Sequence, residues 1–165
     1  MDVDNMDVRN LFEYSQELRK RYLEQLATLP WEEVTKNRGG SFDSLRNIML
    51  HTIDVEDRLV NGVIIGRTDW ISRNPEDFHD IESIKERMMD VESKNKAYLK
   101  TVTTTELERK VEMRRPGTQS ITLRVEDVLI ASAVENIHHF GELIGLLWQM
   151  DIEPPHMGWI GYIQR

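Results

Sequence analysis

The chain has 165 residues, a net charge of −8 and no cysteine. The length suits one domain, 1–165, with a real hydrophobic core. The missing cysteines exclude disulfides, thiolate nucleophiles and sulfur ligands, and the acidic balance without a basic cluster argues against nucleic acid, whose phosphates need a positive footprint.

No apolar run reaches the about 18 residues of a membrane span, and the acidic, polar stretch 1–10 does not read as a signal peptide. The expectation is a soluble, cytoplasmic protein that acts on a small molecule, with no nucleic-acid or membrane partner.

In chain order, a first helix is expected from about 7 to 29, with Leu11, Tyr14, Leu18, Tyr22 and Leu26 at helical spacing and Pro30 as its stop. A second follows the Gly39-Gly40 break, capped by Ser41 or Asp43, and runs through Leu45, Ile48, Met49, Val55, Leu59 and Val63 to about Gly66. Pro75 stands near the start of a third, polar helix over roughly 77–101, with Ile81, Ile84, Met88, Val91 and Leu99 on one side. The period then drops to two in Lys110–Met113 and 120–123, around Pro116-Gly117, which reads as a short β-hairpin or extended loop. A fourth, strongly apolar helix covers 125–150 and ends before Pro154-Pro155. The tail 151–165 carries Trp159, Ile160, Tyr162 and Ile163, too apolar to be free in water, and should pack on the bundle or on another subunit. Trp31, Trp70, Trp148 and Trp159 read as core or interface anchors. The fold expected is an all-α four-helix bundle with a small β excursion between helices three and four.

Two histidines are out of place. At about 100° per residue, His139 falls inside the arc of Val128, Leu129, Phe140 and Leu143, and Glu135, one turn before it, stands at the edge of that arc. His138 is rotated away towards Asp127 and Glu142 and should be solvated. His51 borders the apolar arc of the second helix beside Ile48 and Val55, with Asn47 and Asp54 on the outer side. Each imidazole alone reads more readily as a hydrogen-bonded, half-buried histidine than as a ligand. Taken together, His51, Glu135 and His139 form a candidate metal site for a borderline divalent ion such as zinc or nickel, which binds neutral imidazole and carboxylate. Three protein ligands leave a coordination position open, where a water or thiol would become a nucleophile near neutral pH.

Other residues admit two readings. Glu56 lies in an apolar arc and is either an acid/base group or half of a structural ion pair. Glu142 is either a supporting partner of a metal ligand or a solvated side chain. Asp77, His79 and Asp80 suit a solvated helix start. Glu76-x-x-His79 and Glu135-x-x-His138 match the element that ferritin-like di-iron bundles use twice, but Glu76 and His79 lie at a helix end and His138 points to the polar side.

The segments Ser44-Leu45-Arg46-Asn47-Ile48-Met49-Leu50-His51 and Glu135-Asn136-Ile137-His138-His139-Phe140-Gly141-Glu142-Leu143 resemble the second and late helices of the DinB/YfiT-like superfamily. The resemblance, which covers nearly the whole chain through helix order and hairpin position, implies a four-helix bundle, commonly a homodimer, with one metal held by His51, Glu135 and His139. Glu135 replaces the more usual histidine, as in the similar thiol-dependent maleylpyruvate isomerases, and Phe140 and Glu142 stand where relatives carry Arg and Gln. Some members transfer low-molecular-weight thiols such as bacillithiol. The implied activity is therefore a metal-dependent thiol S-transferase or isomerase, against the alternatives of a non-catalytic dimeric metal-binding stress-response module and a di-iron protein. No general base is assigned.

Overall fold

The computed structural model describes residues 8–67, 72–114, 117–156 and 158–164. Trp70, Pro116 and the start of the first helix at Asp7 lie outside the described residues. Four long helices form the bundle: α1 (Val8–Leu26), α3 (Leu45–Asp57), α4 (Ile81–Leu99) and α6 (Val125–Gln149). The strands β1 (Lys110–Met113) and β2 (Ile121–Arg124) pair antiparallel between α4 and α6, with Lys110 opposite Arg124 and Met113 opposite Ile121. The hairpin and the four-helix order agree with the pattern of periods in the sequence.

Short elements were not visible in that pattern. The first helix ends at Leu26, three residues short of the expected end, and Pro30 instead opens the five-residue α2 (Trp31–Thr35), whose acidic first turn suits a helix start. The α5 turn (Thr104–Glu108) begins on the Thr103 side chain, which accepts from the Glu106 N–H. The cap of α3 is neither Ser41 nor Asp43 but Ser44, whose hydroxyl accepts from the Asn47 N–H. Asp43 instead takes a positive φ of 67° in the preceding turn. Likewise α4 starts on Asp80, and Pro75–Asp77 forms a separate 3-10 turn. After Asp57, α3 loosens into a π-helical turn (Arg58–Ile64), which ends where Gly66 adopts a φ of +78°.

The core is split into two apolar parts by a polar layer. Leu18, Tyr22, Ile48, Ile53, Ile84, Val91, Phe140 and Leu143 belong to the first, and Phe12, Val55, Val60, Leu99, Val125 and Leu129 to the second. Each fully buried side chain of this kind contributes roughly 1.5–3 kcal/mol. Between them every long helix supplies polar groups: Ser15 and Arg19 from α1, Thr52 and Glu56 from α3, Asn95 from α4, Ser132 and Asn136 from α6. Arg19 ion-pairs with Glu56, donates to the Thr52 carbonyl at 3.1 Å, and reaches Glu92 at 3.0 Å. Gln16 and Asn95 each donate to the other Glu56 oxygen at 2.7 Å. Of the two readings of Glu56, the ion pair is therefore the one the fold adopts.

The tail folds back as α7 (Trp159–Ile163), with Trp159 and Tyr162 rings 5.1 and 5.3 Å from Tyr14. Trp31 packs on the core, but Trp148 is 57% exposed and is no core anchor. It ends an apolar stripe along the outside of α6. Ile130, Val134, Ile144 and Trp148 are exposed, Ile137 is half-buried, and Gly141 faces open space. Their spacing alternates four and three residues, the repeat of a helix that pairs with another. Among the described residues, no helix is long and apolar enough to cross a membrane.

Candidate metal centre

The donors come from two helices in direct contact, α3 with His51 and α6 with Glu135 and His139. One ligand atom from each of the three residues lies within 4.8 Å of the other two. Glu135 Oε1 is 3.7 Å from His51 Nε2 and 3.3 Å from His139 Nε2. Donors on a tetrahedral ion with bonds of 2.0–2.1 Å stand roughly 3.3 Å apart, so this cluster can hold a divalent ion with small side-chain adjustments. As the helical wheel implied, His139 is buried, His51 half-buried and His138 exposed. Glu135 lies further out than the core edge, its side chain 48% exposed, and leaves the centre open to solvent on that side.

The fit to a cation rests on His51. Its Nε2 is buried and makes no hydrogen bond, a state that costs about 1–3 kcal/mol when nothing fills it. Burial pushes the His51 imidazole below the ordinary histidine range; nearby His139 adds to the effect and Glu135 opposes it. A neutral ring keeps its lone pair available to a metal.

Glu142 supports His139. His139 Nδ1 and Glu142 Oε2 are 3.2 Å apart, and with the proton on Nδ1 the ring turns the Nε2 lone pair towards Glu135 and His51. The carboxylate is itself held by the Ser41 N–H at 2.7 Å and the Ser41 hydroxyl at 2.5 Å. Burial alone would raise the Glu142 carboxyl; the Ser41 donors and His139 outweigh it and hold the group below the usual range. Gly40 makes the approach of this loop possible. Its φ is +86°, and a Cβ there would collide with Glu142 Oε1. Of the two readings of Glu142, the solvated side chain is not the one observed, since it is held against His139 and Ser41.

Phe42, on the same loop, stacks on His51 with ring centroids 4.0 Å apart and meets His139 edge-on at 5.2 Å. It covers one side of the centre with an apolar ring. Helical periodicity gave no sign of Ser41 or Phe42, because both act across a loop; the Gly39-Gly40 pair was the available signal of an unusual backbone path.

A family model described as DinB family matches residues 1–164. The chain belongs to the DinB family. No curated protein matches it in sequence.

For this DinB-family chain, the remaining sequence candidates fall outside the cluster. Glu76 pairs with Arg46 at the surface and His79 is exposed, so the two Glu-x-x-His elements do not converge among the described residues. Asp54 is not on an outer face, since Arg87 of α4 covers it and also bonds Asp57 at 2.6 Å. A surface groove of about 550 Å³ between α1 and α4 carries charges of both signs and contains none of the three donors among its described lining residues. A smaller cleft of about 100 Å³ touches one of the three donors. It lies between α3, the π-helical turn, the hairpin and α6, and Glu135 forms part of its wall.

Proposed function

We propose that the chain is a metal-dependent thiol S-transferase or isomerase that uses one divalent ion, zinc or nickel, held by His51, Glu135 and His139. The observation that carries this reading is the buried, unpartnered Nε2 of His51 at the point where Glu135 and His139 converge. An ion with three protein ligands supplies Lewis acidity and lowers the pKa of a thiol or water in its open position. The chain's own contributions are separate. Glu142 and Ser41 fix the orientation of His139, Phe42 excludes water from one side, and the exposed flank of Glu135 admits a small-molecule substrate from the cleft.

Protein purified without an affinity tag should contain about one equivalent of metal. Its cobalt-substituted form should change its visible spectrum on addition of azide or a low-molecular-weight thiol. His139→Ala should abolish stoichiometric uptake while the helical circular dichroism persists. A metal-loaded protein whose spectrum ignores both additions has a closed site, and the non-catalytic metal-binding module then replaces the enzyme.

The same reading takes 1–165 as one domain and the protein as a homodimer. Support comes from the α6 stripe, which maps onto itself when turned end for end. Ile130 then faces Trp148 of a second copy, Val134 faces Ile144, and Ile137 faces Gly141, large against small. A two-fold interface requires this kind of self-complementarity.

A further inference from the structure

We propose that Arg58 selects the substrate of this centre, binding the carboxylate of a short aliphatic acid whose body lies in the cleft beside Glu135. The proposal rests on the reading of the site as a metal centre with an open position, and it adds the class of molecule admitted.

Four observations converge on Arg58. It lines the cleft that Glu135 also lines, and among the described residues these two are its ionisable wall residues. The other walls are apolar: Val55 and Leu59 from the α3 side, Val128 and Ala131 from α6, Met113 and Leu123 from the hairpin. A cation at one end of an apolar slot favours a ligand with one anionic end and a hydrocarbon body.

Arg58 also has no partner. Buried or half-buried arginines elsewhere in the chain are taken: Arg19 by Glu56 and Glu92, Arg46 by Glu76, Arg87 by Asp54 and Asp57. The Arg58 side chain is exposed and makes no hydrogen bond or ion pair with any described residue. Its planar fork matches a carboxylate through two parallel hydrogen bonds.

Position along the helix sets the direction. His51, Val55 and Arg58 follow at the spacing of one helical face, which puts the Arg58 Cα about 10 Å beyond His51 along the axis. Helical side chains lean towards the N-terminus, so the guanidinium leans back along the cleft towards the donors. Arg58 is moreover the first residue of the π-helical turn, a local irregularity that recurs at binding sites.

Size sets the last limit. The cleft volume of about 100 Å³ equals about three waters, since each takes about 30 Å³ of liquid. It therefore accepts a body of about four or five non-hydrogen atoms, with the reacting group at the Glu135 end and the carboxylate at Arg58.

The test compares 3-mercaptopropionate with its neutral isostere 3-mercaptopropionamide on the full, cobalt-loaded protein, followed by the thiolate absorption band. The carboxylate should bind at least about tenfold more tightly, the factor a charge-assisted hydrogen bond supplies. Arg58→Gln should erase that preference without changing cobalt content, and Arg58→Lys should keep part of it. Equal affinities in the unmodified protein, or a preference that survives Arg58→Gln, overturn the proposal. A second measurement separates it from the metal reading. Butyrate titrated into metal-free protein should give a saturable shift of the Met113 methyl resonance that Arg58→Gln removes. If that shift is present while the cobalt band ignores every thiol, Arg58 stands and the open metal centre falls. If the shift is missing, the assignment of Arg58 fails.

Discussion

At the scale of single residues, the centre depends on one imidazole being aimed. His139 has a carboxylate near each ring nitrogen, Glu142 on Nδ1 and Glu135 on Nε2, and only the second belongs to the metal cluster. The first decides which way the lone pair points. Glu142→Gln keeps the side-chain shape but offers Nδ1 a weaker, neutral acceptor. Metal affinity should fall by about 10–100-fold while the thermal midpoint of the metal-free protein barely moves. Competition against a chromophoric chelator measures the first and a melt of stripped protein the second; unchanged affinity would remove Glu142 from the support of the site. The three candidate donors were legible in the sequence only as a set: a lone histidine on an apolar arc has an ordinary structural reading, but His139 shares its helix with a carboxylate one turn away and His51 adds an imidazole from another helix. Of the support, Glu142 was legible as a candidate and the loop residues were not. Ser41 and Phe42 reach the site through a left-handed Gly40, and no periodicity encodes where such a loop lands.

At the scale of elements, the helices are stitched together by charge as well as packed by apolar surface. Arg19 of α1 is fully buried and holds Glu56 of α3 and Glu92 of α4 at once. The coupling is visible in the charges: the carboxylates outweigh the desolvation of Arg19 and raise its pKa, whereas Glu92 is raised by burial despite Arg19. Arg19→Met leaves Glu56 buried without its cation and should cost about 3–5 kcal/mol, read as a lower denaturation midpoint in urea. A loss below about 1 kcal/mol would mean that Gln16 and Asn95 alone satisfy Glu56. The long helices were legible from their 3.6-residue period and the hairpin from its two-residue period. The five-residue α2 and α5 were not, since a single turn is too short to show a period. The π-helical turn was hidden for another reason. Its residues keep the apolar character of α3, and only the backbone bonds change.

At the scale of the whole molecule, the described residues leave an apolar stripe of α6, from Ile130 to Trp148, without cover. Its four-three repeat was not distinguished in the sequence from the core arc of the same helix, and Ile144 is 38% exposed. A 25-residue helix that is apolar on two sides packs one side on the core and leaves the other available to the dimer proposed above. Sedimentation should find the protein dimeric, and Val134→Glu, which sets a charge near the middle of the stripe, should yield a folded monomer with the same helical content. A Val134→Glu protein that stays dimeric would place the contact on another face.

The donors of the candidate centre belong to two rods that are distant along the chain, His51 midway through α3 and the others midway through α6. Any ion they grip is also a rivet between those rods, so loading the centre and tightening the bundle form one equilibrium governed by mass action. Starving such a protein of its ion slackens the scaffold at the same moment that it disarms the chemistry.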